Sequence, residues 1–340
     1  MNRSLVRAAL AIAALLVAPQ AFACDLCSIY AALDARESRP GWYVSLFEQY
    51  SDFSTLLQDG EEVDNEADQS LESSITQTVV GYQLNDRWGV QANLPLIDRS
   101  FRRPEGELVV RDSESGLGDA TLVGHWRALA RIAEHRVTAL TFLAGIKAPT
   151  GDSDLLAEEL GEAHEEEHDG DHAEGTLLPT KHEGHEHGPA SGLHGHDLAL
   201  GSGSVDGLVG ASLFNSWNRW FVNAQVQYTL RTEGDFDYRY ANELSWTISP
   251  GYFVTLDHGR SLGLGVQVYG EKKGEDELDG EALDDTAIDA VYGGPTVSWS
   301  ARGRWLAEIS LDLPISQDNS ALQLVPDARA RLGFTWRFGA

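Results

Sequence analysis

About a dozen segments of this chain, each some ten residues long, alternate apolar with polar residues, and this constrains the fold more than any other feature. From Trp220 to Arg231, for example, Trp220, Val222, Ala224, Val226, Tyr228 and Leu230 fall on one face, and Phe221, Asn223, Gln225, Gln227, Thr229 and Arg231 on the other. A period of two belongs to β-strands. An apolar outside with a polar inside suits a membrane barrel around a wet lumen, whereas a soluble sandwich turns its apolar face inward. The same pattern predicts strands over 41–50, 73–84, 87–97, 118–129, 135–147, 204–214, 219–231, 241–255, 260–271, 289–300, 303–314 and 328–338, twelve in all. The expected fold class is all-β: a transmembrane antiparallel β-barrel of about twelve strands.

The connections alternate in length. Asn85-Asp86, 131–134, 216–218, 257–259 and Ala301-Arg302 have the Asn, Asp and Gly chemistry of tight turns. Between them lie long loops at 51–72, 98–117, 148–203, 232–240, 272–288 and 315–327. An even strand number with short turns at one end puts both termini on the periplasmic side of a Gram-negative outer membrane and the long loops outside. The nine tryptophans fall near strand ends, which predicts aromatic girdles at both membrane interfaces. The last strand, ending Phe334-Thr335-Trp336-Arg337-Phe338, has the aromatic alternation that barrel-assembly machinery reads, although Gly339 and Ala340 follow it.

Residues 1–23 have the basic start, apolar run and Ala21-Phe22-Ala23 site of a secretory signal, with cleavage before Cys24. No stretch reaches the roughly 18 apolar residues of a membrane helix, so a membrane-integral product has to be a closed barrel. Residues 24–40 form a periplasmic segment with helix-forming composition, and 41–340 the barrel. Ala21 and Phe22 are not the residues a lipoprotein signal places before its Cys. A formal net charge of -28 excludes nucleic acid as a partner and favours divalent cations beside outer-membrane lipid.

Loop 148–203 is read as a long, disordered, low-complexity extracellular insert. It carries His164, His168, His172, His182, His185, His187, His194 and His196 among many carboxylates. Imidazoles at this density point to Zn, Cu or Ni, while glycines at 170, 175, 184, 188, 192 and 195 speak against a rigid site. The bland alternatives are a solvated acidic lobe and a flap that charges below about pH 6.5. Cys24 and Cys27 form a C-x-x-C open to a local disulfide, a thiolate metal site or a redox pair; without a following His it is no haem attachment site.

Inward-facing positions in this register include Asp119, His125, Arg127, Lys147, Arg231, Glu243, Glu271, Arg304, Glu308, Asp312, Arg329, Arg331 and Arg337. They either line a pore that selects solutes or pair to fill a narrow lumen. His125 and His135 are the only strand histidines and no serine motif accompanies them, so catalysis is not expected.

Three local signatures carry a resemblance: Gly116-Leu117-Gly118-Asp119 leading to Arg127, Lys147-Ala148-Pro149-Thr150-Gly151-Asp152, and Leu200-Gly201-Ser202-Gly203-Ser204-Val205-Asp206. Over roughly 116–210 the chain resembles the MetA-pathway-of-phenol-degradation family of outer-membrane proteins, in which such motifs recur around a long external loop. The resemblance implies passage of small molecules, typically aromatic or apolar, with no cofactor required. The His-rich insert departs from it and shifts the expectation toward a channel for metal ions or their complexes. Uptake of small aromatic compounds and a non-conducting, structural or metal-sensing barrel are the alternatives.

Overall fold

The computed structural model describes residues 40–106, 108–161, 190–257 and 259–338. Its strands are β1 (Gly41–Gln58), β2 (Glu61–Val63), β3 (Ser70–Gln83), β4 (Trp88–Glu105), β5 (Leu108–Leu117), β6 (Ala120–Ala133), β7 (Arg136–Ala148), β8 (Asp206–Trp217) and β9 (Trp220–Leu230). They continue as β10 (Tyr238–Arg239), β11 (Glu243–Asp257), β12 (Arg260–Lys273), β13 (Asp276–Leu278), β14 (Glu281–Leu283), β15 (Ile288–Ala301), β16 (Trp305–Asn319) and β17 (Leu322–Arg337). Twelve of them form one antiparallel barrel in the order β1, β3, β4, β6, β7, β8, β9, β11, β12, β15, β16, β17, and β17 closes on β1 with Tyr43 opposite Arg337. Closure removes both sheet edges, which is what a spanning sheet requires in lipid. All twelve expected strands are present, most of them longer at the loop end.

Burial alternates along each barrel strand as the sequence alternates. In β4, Gly89, Gln91, Asn93, Pro95 and Ile97 are buried in the lumen while Trp88, Val90, Leu94 and Leu96 are exposed on the outside. The strand turned apolar-out therefore buries its polar face, the reverse of a soluble protein. No described helix is long and apolar enough to cross a membrane.

Three expectations are corrected here. The tryptophans do not form two girdles: Trp42, Trp88, Trp217, Trp220, Trp299, Trp305 and Trp336 sit at the turn end of their strands, Trp126 lies mid-strand opposite Trp88, and Trp246 alone is at the loop end. The ring at the turn end is continuous enough for Trp305 and Trp336 to stack at 5.2 Å. Arg304 belongs to the exposed turn before β16 rather than to the lumen wall. Several long loops are partly strand: β4 and β5 form a hairpin through Gly106, and β2 turns back on β1 through Asp59-Gly60. Asp279-Gly280 likewise joins β13 to β14, which form a small sheet with β10.

Residues 1–39 and 162–189 lie outside the described residues, so the signal peptide, Cys24, Cys27, and His164, His168, His172, His182, His185 and His187 receive no structural account. The two arms of the long loop, 148–161 and 190–203, are not open coil. Leu193 and Leu198 pack in the loop end of the barrel against Leu56, Leu71, Phe101 and Leu324, and Leu156 packs with Ala199, Tyr238 and Leu278. Gly192 and Gly195, taken from the sequence as sources of mobility, are close contacts instead: a Cβ on Gly195 would lie 2.3 Å from the Leu155 carbonyl oxygen.

Candidate lumen and its mouth

The three motifs noticed in the sequence converge at the loop end of the barrel. Asp119, in the break between β5 and β6, accepts the backbone N–H groups of Thr150 (3.1 Å), Gly151 (3.0 Å) and Ser202 (3.0 Å), and pairs with the Lys147 ammonium at 2.8 Å. Lys147 also reaches Asp206 at 2.7 Å. Asp206 in turn pairs with Arg231 at 2.9 Å, and Arg231 with Glu243. The glycines of the motifs make this approach feasible, since a Cβ on Gly201 would lie 2.5 Å from the carbonyl carbon of Gly151. The signatures are thus the staple that folds both arms of the long loop against the barrel. Burial alone would push the Asp119 carboxyl up, but Lys147 and the backbone donors hold it below the usual carboxylate range.

Above the staple the arms meet each other. α1, a single turn at Gly195–Leu198, presents His196, whose backbone N–H and ring Nδ1 both contact Glu159 Oε1, at 2.8 and 2.9 Å. Burial opposes charge on this ring, yet the Asp197 carboxylate and the Glu159 hydrogen bond raise it to about 9. His194 stacks on His196 with ring centroids 5.7 Å apart and faces Asp285 at 3.4 Å. These two histidines therefore act as cross-links between loop segments. Among the described residues, no three His, Cys, Asp or Glu side chains are grouped to hold a metal ion.

Below the mouth the lumen has two unlike walls. On β12, β15, β16, β17 and β1 a chain of ionic and aromatic groups fills space: Arg329 makes two 2.8 Å bonds to Glu271 and lies 4.4 Å over the Tyr292 ring. Arg331 contacts Gln49 at 3.0 Å and Asp312 at 3.4 Å, and Asp312 accepts from Gln267 at 2.7 Å. On β9 and β11 the wall is uncharged, and the side-chain oxygens of Asn223, Gln225, Gln227 and Thr247 have no partner among the described residues. Gln227 is only 1% exposed.

The turn half of the lumen holds two apolar clusters. Tyr43, Phe47, Val79 and Leu306 form one cluster, and Ala139, Phe214, Phe221 and Phe253 another. Nearer the turns are His125, held by Gln83 at 3.0 Å, Arg127, which donates to the Asp86 carbonyl at 3.2 Å, and Arg337, 5.3 Å over the Tyr43 ring. The inward residues predicted from sequence thus separate into a mouth group (Asp119, Lys147, Arg231, Glu243), a middle group (Glu308, Asp312, Arg331) and an end group (His125, Arg127, Arg337).

Sequence reasoning missed Glu159 and the phenylalanine clusters. The signal for the clusters was present, since Phe221 already lay on the polar face of its strand.

A family model described as "Putative MetA-pathway of phenol degradation" matches residues 194–321, overlapping the motif-bearing stretch 116–210 only at its end. The fold is similar to the COG4313 outer membrane channel from Pseudomonas putida F1, with TM-score 0.57 and 17% identity, covering 89% of this chain and 97% of that one. The β domain of the Bordetella autotransporter BrkA (TM-score 0.43, 9% identity, 88% and 99% coverage) is also similar. So is the translocator domain of the autotransporter NalP from Neisseria meningitidis (0.42, 12%, 92% and 93%). No sequence among curated proteins matches the chain.

Proposed function

Because residues 194–321 match the family model described as "Putative MetA-pathway of phenol degradation" and the chain folds as a closed twelve-stranded barrel, we propose that it is a passive outer-membrane channel for small solutes. Its turns and both chain ends face the periplasm and its long loops face outward. The observation that carries this reading is the uncharged wall of β9 and β11. Buried amides and hydroxyls are normally satisfied, and a row of them with unfilled hydrogen-bonding capacity along a lumen suits passing water and solute. A barrel built only to be rigid gains nothing from them.

The solutes favoured are small molecules with an apolar or aromatic body, because the periplasmic half is lined by Phe47, Phe214, Phe221, Phe253 and Leu306. Metal ions are disfavoured as cargo, since His194 and His196 are committed to Asp285 and Glu159. Between Phe214, Asn223 and Glu308 the lumen wall encloses a small cavity of about 30 Å³. Planar-bilayer recording tests this. The barrel should conduct KCl at a low level and benzyl alcohol should reduce the current saturably, with little effect of Zn²⁺. A silent barrel would refute the channel; block by Zn²⁺ without block by benzyl alcohol would restore the metal reading.

A further inference from the structure

We propose that the lumen contains a binding site for a monovalent cation, of alkali or ammonium type, built around Glu308. The inference rests on the channel reading and deepens it. Glu308 lies on β16 with Ser298 of β15 as its neighbour on one side and Gly333 of β17 on the other. Neither can neutralise it, and among the described residues the carboxylate makes no hydrogen bond or ion pair. Arg331, whose charge reaches Glu308, is already engaged by Gln49 and Asp312.

The carboxylate opens on the small cavity it shares with Asn223, Ser298, Ser300, Phe221 and Phe253. Asn223 Oδ1 is buried there without a donor among the described residues. Ser261 and Ser300 share a hydrogen bond at 2.7 Å, and with Ser298 they line the cavity with hydroxyl oxygens. Gly263 keeps the floor clear, because a Cβ there would come within 2.7 Å of Ser298 Oγ.

The groups left over are acceptors. A carboxylate, a carboxamide oxygen and hydroxyl oxygens are hard ligands, and they call for a cation or a strong donor rather than an anion. One formal negative charge balances one positive charge, so a divalent ion would remain under-neutralised beside Arg331. A cavity of about 30 Å³ accommodates a potassium or ammonium ion but not a bulky amine. The faces of Phe221 and Phe253 complete the enclosure, as aromatic faces do around cations. A single carboxylate at a narrow level of a pore sets its charge preference.

The test is the reversal potential of the purified full chain in planar bilayers under KCl and NH4Cl gradients. Glu308→Gln keeps the volume and removes the charge. It should lower the cation-to-anion permeability ratio by about threefold or more, for both cations. Asn223→Leu should shift the ratio less in the same direction, and Glu308→Asp should restore part of it. Heat-modifiable gel mobility confirms that each variant is folded. An unchanged ratio in a conducting, folded Glu308→Gln variant would overturn the site and leave the channel standing. A wild-type barrel that does not conduct would overturn the channel and the site with it.

Discussion

Replacing Asp119 by Ala should release the arms of the long loop without unfolding the barrel. The carboxylate is 7% exposed and accepts three backbone N–H groups, the Ser202 hydroxyl at 2.8 Å and the Lys147 ammonium. Each hydrogen bond to a charged group contributes about 1.5–3 kcal/mol, but shared partners make these non-additive. Breaking a buried ion pair costs about 3–5 kcal/mol, and Lys147 retains Asp206, so the lower end applies. A loss of about 3 kcal/mol raises the fraction of open arms by roughly a hundredfold. Hydrogen exchange at residues 150–152 and 201–204 should accelerate by about that factor, while amides of β8 and β9 keep their protection, because their ladder does not pass through Asp119. The native pKa is depressed, so this stabilisation is present at neutral pH and fades as pH falls below the ordinary carboxylate range through the native value. Unchanged exchange in Asp119→Ala at pH 7 would refute the staple.

The pH dependence of the His196 cross-link has the opposite sign: its pKa is raised to about 9, so its contribution is full below about 6.5 and is lost as pH rises through 9. Protection at residues 193–199, taken relative to the intrinsic exchange rate at each pH, should therefore fall on going from pH 7 to above pH 9, and His196→Ala should abolish that fall. Deleting 162–189 and joining the arms with a short linker should leave the arms docked and conductance near wild type, checked by exchange and bilayer recording. Deleting 148–203 should yield a folded barrel with markedly larger conductance, since it removes Leu193 and Leu198, each worth about 1.5–3 kcal/mol of burial at the mouth.

The barrel was legible in the chain because its period of two is enforced twelve times by lipid on one side and a filled lumen on the other. Less was legible at the loop end, where neither constraint acts. There Asp59-Gly60 and Asp279-Gly280 were the available signals, both residues of each pair having positive φ as a tight hairpin turn requires, and both lay inside segments read as loops. Composition misled at 190–203, where glycine and histidine suggest mobility but the leucines between them dock. Spacing located Asp119, Lys147, Asp206 and Arg231 individually, but only the fold shows that motifs up to 87 residues apart in number, from Asp119 to Asp206, share one ion network.

That network and the lumen below it divide the work of selection by position. At the mouth every named charge has a partner, and with Asp119, Asp206 and Glu243 set against Lys147 and Arg231 the staple that holds the arms keeps a net negative charge. In the middle Arg329 and Arg331 are matched by Glu271 and Asp312, which leaves Glu308 as the lumenal carboxylate without a partner among the described residues. Phe214, Phe221 and Phe253 line the same cavity as Glu308 and bring no charge to it. A cation entering such a path finds at Glu308 a carboxylate that answers its charge, while an uncharged apolar solute finds contacts on the phenylalanines. If both pass through the same lumen, Glu308→Gln should alter ion preference while leaving current block by benzyl alcohol intact, and Phe47→Ala, in the cluster that does not line the Glu308 cavity, should weaken that block while leaving the permeability ratio intact. Loss of both properties in either variant would mean that the two levels are not separate.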